Sequence, residues 1–455
     1  MKRRAVLAAP ALWPALAAAQ TAPAVAQDDT VGPGLRRNVL IRWGDRVTFD
    51  APPFDPRSVD AEGAAAQFGW DARIAGLITP PPAADGATRA VLAVAHPTVE
   101  AHMAFADGAD RPEVAGAMQG ATLLNLELQG GRWIVVDGGY QSRRLTASTL
   151  CRASGPSVDQ AGAALRGVLG ITGGAATPWG TLLLTEGDPA AWSQRLGVAP
   201  RGFGWLVELD PLDPQSIPVK RTALGRFAQA DAAAALARGG QAVVFLAERG
   251  AGGYLFRFVS AGPARAADAL DAGTLSVAQL QGGRVAWSPL REGAPVEAAR
   301  AAGGTPFDAP SSLSWDARAG RLLFCGGFGL LALAGEADAP GLTVSAINVQ
   351  RLGAVQAAIA DARGRLLLGT DGGGPVGARA QTLWAVEGSN ATALYGAPRA
   401  AGIGGVAVSP DGGTIFTAAR RPGAEPGSSF DRPATRWPEF EPGMPPRSAV
   451  LALAR

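Results

Sequence analysis

The sequence predicts an all-β fold, a six-bladed β-propeller with loops rich in proline and glycine, and three observations predict it. Glycine and proline account for 61 and 35 of the 455 residues, while aromatic residues make up only 6%; both punctuate turns and are disfavoured inside helices. Short apolar runs bounded by turn residues stand where long amphipathic helices would show a 3.6-residue period. A hairpin signature recurs in the C-terminal half. "DARAGRLLF" opens at Asp316, "DARGRLLLGTDG" at Asp361, and "SPDGGTIFTAA" turns at Asp411, at intervals of 45 and 50 residues. Asp followed by Gly joins two strands because Gly adopts the positive φ such turns need. One hairpin every 40–50 residues or so is the mark of propeller blades.

Along the chain, residues 1–26 read as a secretory signal. Lys2-Arg3-Arg4 precede an apolar stretch from Ala5 to Ala19, and Ala24-Val25-Ala26 forms a small-residue cleavage pattern. The Arg3-Arg4 pair makes the signal twin-arginine-like, with an ordinary Sec signal as the alternative. The stretch contains Pro10 and Pro14 and is too short to span a bilayer. A periplasmic or secreted location follows. Residues 27–64 are expected as an irregular, Pro-rich lead-in to one propeller domain over residues 65–455. Strands are expected at Ala90–Val94, Trp133–Val136, Thr181–Thr185, Trp205–Leu209, Ala242–Ala247 and Tyr254–Val259. The Ala-rich stretch Asp231–Arg238 is expected as a short helix, and Val158–Arg166 and Asp188–Arg195 are ambiguous. Fainter turns fall at Gly130-Gly131, Gly239-Gly240 and Gly282-Gly283. The segment "DAPSSLS", Asp308–Ser314, reads as a loop entering an inner strand at the axis. The Pro-rich "SSFDRPATRWPEFEPGMPP" is expected to close over the surface, and Trp179, Trp315 and Trp437 to pack between blades.

Charge excludes whole classes of partner. Removing residues 1–26 leaves 38 basic against 39 acidic residues, a net of −1. No basic stripe remains for nucleic acid. Lysine occurs only at Lys2 and Lys220. Cys151 and Cys325 read as two buried thiols, a disulfide being the alternative in an oxidising compartment. With only His96 and His102, no HExxH or histidine-rich zinc site can be built. No nucleotide-binding glycine loop and no GxSxG elbow is present.

Several stretches resemble the PhoX family of bacterial alkaline phosphatases. The longest is "FGWLVELDPLDPQSIPVKRTALGRF" at residues 203–227, accompanied by "SRRLTASTL" (142–150), "ATPWGTLLLTE" (176–186), "LDAGTLSVAQL" (270–280) and "RPGAEPGSSF…RWPEFEPGMPPRSAVLAL" near the end. The resemblance implies an exported six-bladed propeller that hydrolyses phosphate monoesters with a calcium and iron cluster on its axis, held mostly by carboxylates and a cysteine. Position by position, it implies that Arg73 stands close to where an acid belongs. His96 remains, but Pro97 replaces its neighbouring Glu. Thr172 falls at or near the cysteine, and Ala230 replaces an acid. Ser311, Ser312 and Ser314 replace three more, and Gln356-Ala357, Gly402 and Arg421 replace further ligands. Calcium takes about six to eight oxygen ligands, and clustered cations need anionic ones to offset their repulsion. No metal or other cofactor is therefore expected.

The reading is an exported, non-catalytic binding or scaffold propeller. The alternative is a phosphomonoester hydrolase with a reduced, re-sited calcium and iron centre, built from Glu186, Glu248 and Asp371 with help from Asp71 or Asp231. Glu100 and Asp308 read as ordinary turn residues. A binding role would draw on Arg73 and Arg421, with Arg144 or Arg221 near, and on phosphate or another small anion, which guanidinium forks hold bidentately.

Overall fold

The computed structural model describes residues 18–455, apart from residues 163, 292–294 and 374–376. Most of the expected signal, residues 1–17, lies outside the described residues. Among them, the strands assemble into six blades. The inner strands are Arg73–Ile78, Ile171–Ala176, Gln229–Leu236, Ser312–Asp316, Val355–Ala360 and Gly402–Val408, in blade order. Each packs against the next, and the sixth against the first, which closes the ring.

Each of the first five blades is built around antiparallel strands taken in sequence, and in the second Leu150–Ser154, from earlier in the chain, adds parallel to the last of them. In the first, Arg73–Ile78 pairs with Arg89–His96, then Gly120–Gln129, then Arg132–Val135. Its last hairpin turns at Gly130-Gly131, with φ of 55° and 77°, the left-handed pair that a two-residue turn requires. The third and fourth blades are also joined edge to edge. Arg284–Pro289 pairs with Gly341–Ile347, fusing the two into one nine-stranded sheet.

The sixth blade draws on both ends of the chain. Gly402–Val408, Thr414–Arg420 and Ala449–Ala454 supply three strands, and Arg36–Arg42 adds the fourth antiparallel to the last. The 27–64 region is thus less irregular than the sequence suggested, holding this strand and a helix at Ala61–Ala66. Further upstream, Ala18–Ala19 and Thr30–Val31 lie along the outer strand of the fifth blade.

The Ala-rich stretch expected as a helix is the inner strand Gln229–Leu236. Inner strands converge on the axis, so their neighbours approach backbone to backbone. A Cβ added at Gly404 would lie 2.2 Å from the Ala72 carbonyl of the first blade. Small side chains are selected there for size, and that overrides alanine's helical preference. Of the ambiguous stretches, Pro189–Leu196 is a helix capped by Asp188, and 158–166 divides into a helical turn and a short strand. The expected apolar strands all form.

Apolar side chains fill each gap between adjacent blades, as with Val91, Leu123, Ile171 and Leu184 between the first and second. Burying a Val, Leu or Ile side chain contributes roughly 1.5–3 kcal/mol, so each blade is held chiefly by its neighbours. A further apolar cluster, including Trp43, Trp70, Met103, Phe105 and Trp192, gathers short helices and connecting segments outside the blades. Cys151 and Cys325 are both buried free thiols. Trp437 is fully buried between the fifth and sixth blades.

Candidate functional site

The inner strands begin around one axial pocket of about 340 Å³. Five of the six carry a β-bulge near that end, at Ile74/Gly76, Ile171/Gly173, Gln229/Asp231, Val355/Ala357 and Ile403/Val406. A bulge inserts one unpaired residue and re-aims its side chain. Here Thr172, Ala230 and Gln356 sit within bulges and line the pocket. Second strands of three blades end beside them, delivering Pro97 after His96, Arg249 after Glu248, and Arg420-Arg421. Ala309 and Arg421, two of the four described non-glycine residues with positive φ, are also in the wall. Backbone held at such a cost is concentrated at functional sites.

Four arginines therefore converge: Arg73, Arg249, Arg420 and Arg421. Three are answered by carboxylates. Arg420 grips Asp71 with two bonds, Nε to Oδ1 at 2.9 Å and Nη2 to Oδ2 at 2.6 Å. Asp71 also accepts from the Ala72 amide and the Thr98 hydroxyl. Burial pushes this carboxyl up, but Arg420, with Arg421 and the Ala72 amide, outweighs it and holds it at about 2. Arg73 donates from Nη2 to Asp231 Oδ2 at 3.0 Å and to the Ser311 carbonyl at 2.8 Å. Asp231 accepts three backbone amides as well, from Gly174, Ala232 and Leu313. Its burial nonetheless wins, and its carboxyl lies above the ordinary range. At the rim, Arg421 Nη1 reaches Glu100 Oε1 at 2.6 Å, both side chains partly exposed.

Arg249 is different. Its guanidinium makes no ion pair or hydrogen bond among the described residues. Partial burial, with repulsion from Arg420, Arg73 and Arg421 and only a weaker pull from Asp188, makes its proton easier to lose than an ordinary arginine's, yet arginine stays charged at neutral pH. One guanidinium of the wall is thus left without a bonded carboxylate. Ser311 Oγ in the same wall is buried with no hydrogen-bond partner.

Arg73 also separates this pocket from a second, of about 420 Å³, that runs along the same inner strands. Ser312 and Ser314 open onto that second cavity, while Ser311 faces the first. The expected loop Asp308–Ser314 is therefore half strand, pairing from Ser312 onward.

Other residues singled out from the sequence lie apart. Glu186 is wholly buried, bound to Lys220 Nζ at 2.9 Å and to the amides of Leu169, Gly204 and Trp205. Lys220 is equally buried and stands 4.2 Å from the Phe203 ring centroid. Glu248 accepts from the Tyr254 amide, and burial raises its carboxyl. Asp371 caps the amides of Ala354 and Gly373 at the edge of a separate cavity. None of the three lines the axial pocket. Arg144 spends its fork on the carbonyls of Ala117, Gln119 and Ala121 and on Thr122, and burial brings it down to about 9. Arg221 is bound to Glu208 and Asp271. His96 donates from Nδ1 to the Asp71 carbonyl and accepts at Nε2 from Thr122. Burial and Arg144 hold it neutral, well below the usual imidazole range. It braces the segment that leads from Asp71 into the strand Arg73–Ile78.

Sequence reasoning missed Arg249 and Arg420. The available signal was positional: each stands at the end of an apolar second strand, in "VVFLAERG" and "TIFTAARR".

The donor set can be tested against the metal cluster that the sequence resemblance implied. Among the described residues no three His, Cys, Asp or Glu side chains come together so as to hold a metal ion. The acids nearest the pocket, Asp71, Asp231 and Glu100, are each occupied by an arginine.

Comparison with known proteins shows a match of residues 17–321 to the family described as alkaline phosphatase PhoX. Among solved structures, the chain is similar to PhoX of Pseudomonas fluorescens in complex with vanadate, a transition state analogue. The TM-score is 0.83 at 24% identity, over 96% of this chain and 97% of that one. Regucalcin, a calcium-binding protein of Agrobacterium tumefaciens, aligns with a TM-score of 0.38 at 11% identity, over 88% and 94%. A gluconolactonase of Xanthomonas campestris gives 0.37 at 11%, over 96% and 98%. No curated protein matches.

Proposed function

Since the chain belongs to the alkaline phosphatase PhoX family, we propose that it is an exported member that has exchanged metal-dependent hydrolysis for metal-free binding of a small anion. The observation that carries this is the composition of the axial wall. Arg73, Pro97, Thr172, Ala230, Ser311, Gln356 and Arg421 stand where the sequence resemblance implies metal ligands, and all seven line the pocket. Their side chains are cationic, neutral or apolar. A cluster of polyvalent cations needs several anionic oxygens within coordinating distance, and this wall does not fit one. Guanidinium groups bind oxyanions without a metal, and the pocket has one to spare.

The basic Lys2-Arg3-Arg4 cluster, the apolar leader and the small-residue cleavage pattern support export to the periplasm or beyond. No described helix is long and apolar enough to cross a membrane. The phosphatase alternative would need Glu186, Glu248 and Asp371 at one centre. Glu186 is already neutralised by Lys220, and Asp371 borders a different cavity.

The test is hydrolysis of an aryl phosphate by the purified protein supplied with calcium and iron, alongside metal analysis of the same sample. Turnover at the level of buffer, without stoichiometric iron, is expected. Stoichiometric iron with turnover abolished by a chelator overturns the reading.

A further inference from the structure

We infer that the axial pocket selects a small organic monocarboxylate, gripped by Arg249; this rests on the metal-free anion reading and names its ligand class. The first argument is charge. Arg73, Arg420 and Arg421 are matched one to one by bonded carboxylates of Asp231, Asp71 and Glu100, so the charge left without a bonded partner is that of Arg249, which only the more distant Asp188 offsets in part. A monoanion brings the pocket to neutrality. A dianion would leave excess negative charge beside three carboxylates, where partial burial weakens screening.

The second argument is the unspent polar groups. Ser311 Oγ is buried without a partner, and the Gln356 side chain makes no hydrogen bond among the described residues. A buried hydroxyl left unpaired costs roughly 1–3 kcal/mol, and a ligand oxygen would satisfy it. Arg249 supplies the planar fork that matches a carboxylate bidentately.

The third is the rest of the wall. Pro97, Ala230, Pro310, Ala357 and Ile403 present an apolar surface beside these donors. The volume of about 340 Å³ lies at the low end of small-molecule pockets, roughly 300–1,000 Å³. Such a wall accommodates a short hydrocarbon body behind a charged head.

The experiment is calorimetric titration of the full chain with straight-chain monocarboxylates from acetate to hexanoate, and with inorganic phosphate and succinate. Monocarboxylates are expected to bind, each methylene tightening affinity about fourfold until the pocket is filled, with phosphate and succinate at least about tenfold weaker than the best of them. Arg249→Ala should abolish binding and Arg249→Lys should restore part of it. Because the Arg249 guanidinium has no hydrogen bond or ion pair to lose among the described residues, both variants should melt with the parent, which separates loss of ligand from loss of fold. Phosphate binding tighter than every monocarboxylate overturns this inference and leaves metal-free anion binding standing. Absence of binding by every anion overturns both. Carboxylate binding unchanged in Arg249→Ala removes the assigned residue and with it the inference.

Discussion

Asp71 and Arg420 show how single residues now govern the axis. An aspartate held at about 2 in the fold and near 3.8 unfolded favours folding whenever it is ionised. That stabilisation is complete above about pH 4 and is lost as pH falls through the folded value near 2. The shift corresponds to about 2–3 kcal/mol. Asp231 has the opposite sign: its raised carboxyl means that ionisation opposes folding as pH rises through the folded value, and Arg73 offsets part of that cost. Arg420→Ala should therefore destabilise the protein by about 3–5 kcal/mol, since it strands a buried carboxylate, and Asp71→Asn in the same background should recover part of the loss; denaturant melts at pH 7 measure both. At this scale the sequence was legible in residue type and illegible in partnership. Arg73 and Arg421 were recognisable as cations out of keeping with a metal site. That both would be tied to Asp231 and Glu100 was not, because those pairs span 158 and 321 positions.

Elements were legible wherever period and turn chemistry agreed. Gly130-Gly131 and Gly282-Gly283 mark real two-residue hairpins, and the apolar runs are real strands. Elements failed to announce themselves where tertiary crowding or a distant partner decides. Gln229–Leu236 is a strand because the axis admits only small side chains. Arg36–Arg42 is a strand because residues more than 400 positions away supply its edge. The segment before it behaves likewise. Carbonyls of Ala22, Pro23 and Ala26 accept from Arg379, Ala380 and Arg399, and the Gln20 amide donates to Ala391. A chain starting at Gln27 should consequently be less stable than one starting at Gln20, on the order of 2–4 kcal/mol for the lost hydrogen bonds. Denaturant titration of the two truncations decides it; equal midpoints would show the segment to be energetically idle.

Across the whole molecule, six blades and their closure by the N-terminal strand hold the axis in place whatever lines it. A metal-dependent axis would respond to its ions, since tight binding to the fold alone raises stability, by about 2.7 kcal/mol at a hundredfold excess over Kd. Here calcium, ferric iron and a chelator should each leave the melting temperature of the full chain where it stands. A rise with either metal, reversed by chelation, would speak for coordination. The propeller was legible from repeats and composition alone, whereas the proposed change in its centre rests on the resemblance, which marks the positions to inspect, and on the geometry, which puts seven of them around one cavity.

Lys220, sealed between Glu186 and Phe203, has a practical corollary. Apart from Lys2 in the proposed leader, it is the sole ε-amine of the chain. If the leader is removed as proposed, acylating reagents, crosslinkers and modifying enzymes would find only the α-amino terminus on the native surface. Acylation at Lys220 becomes a clock for how often the second blade opens.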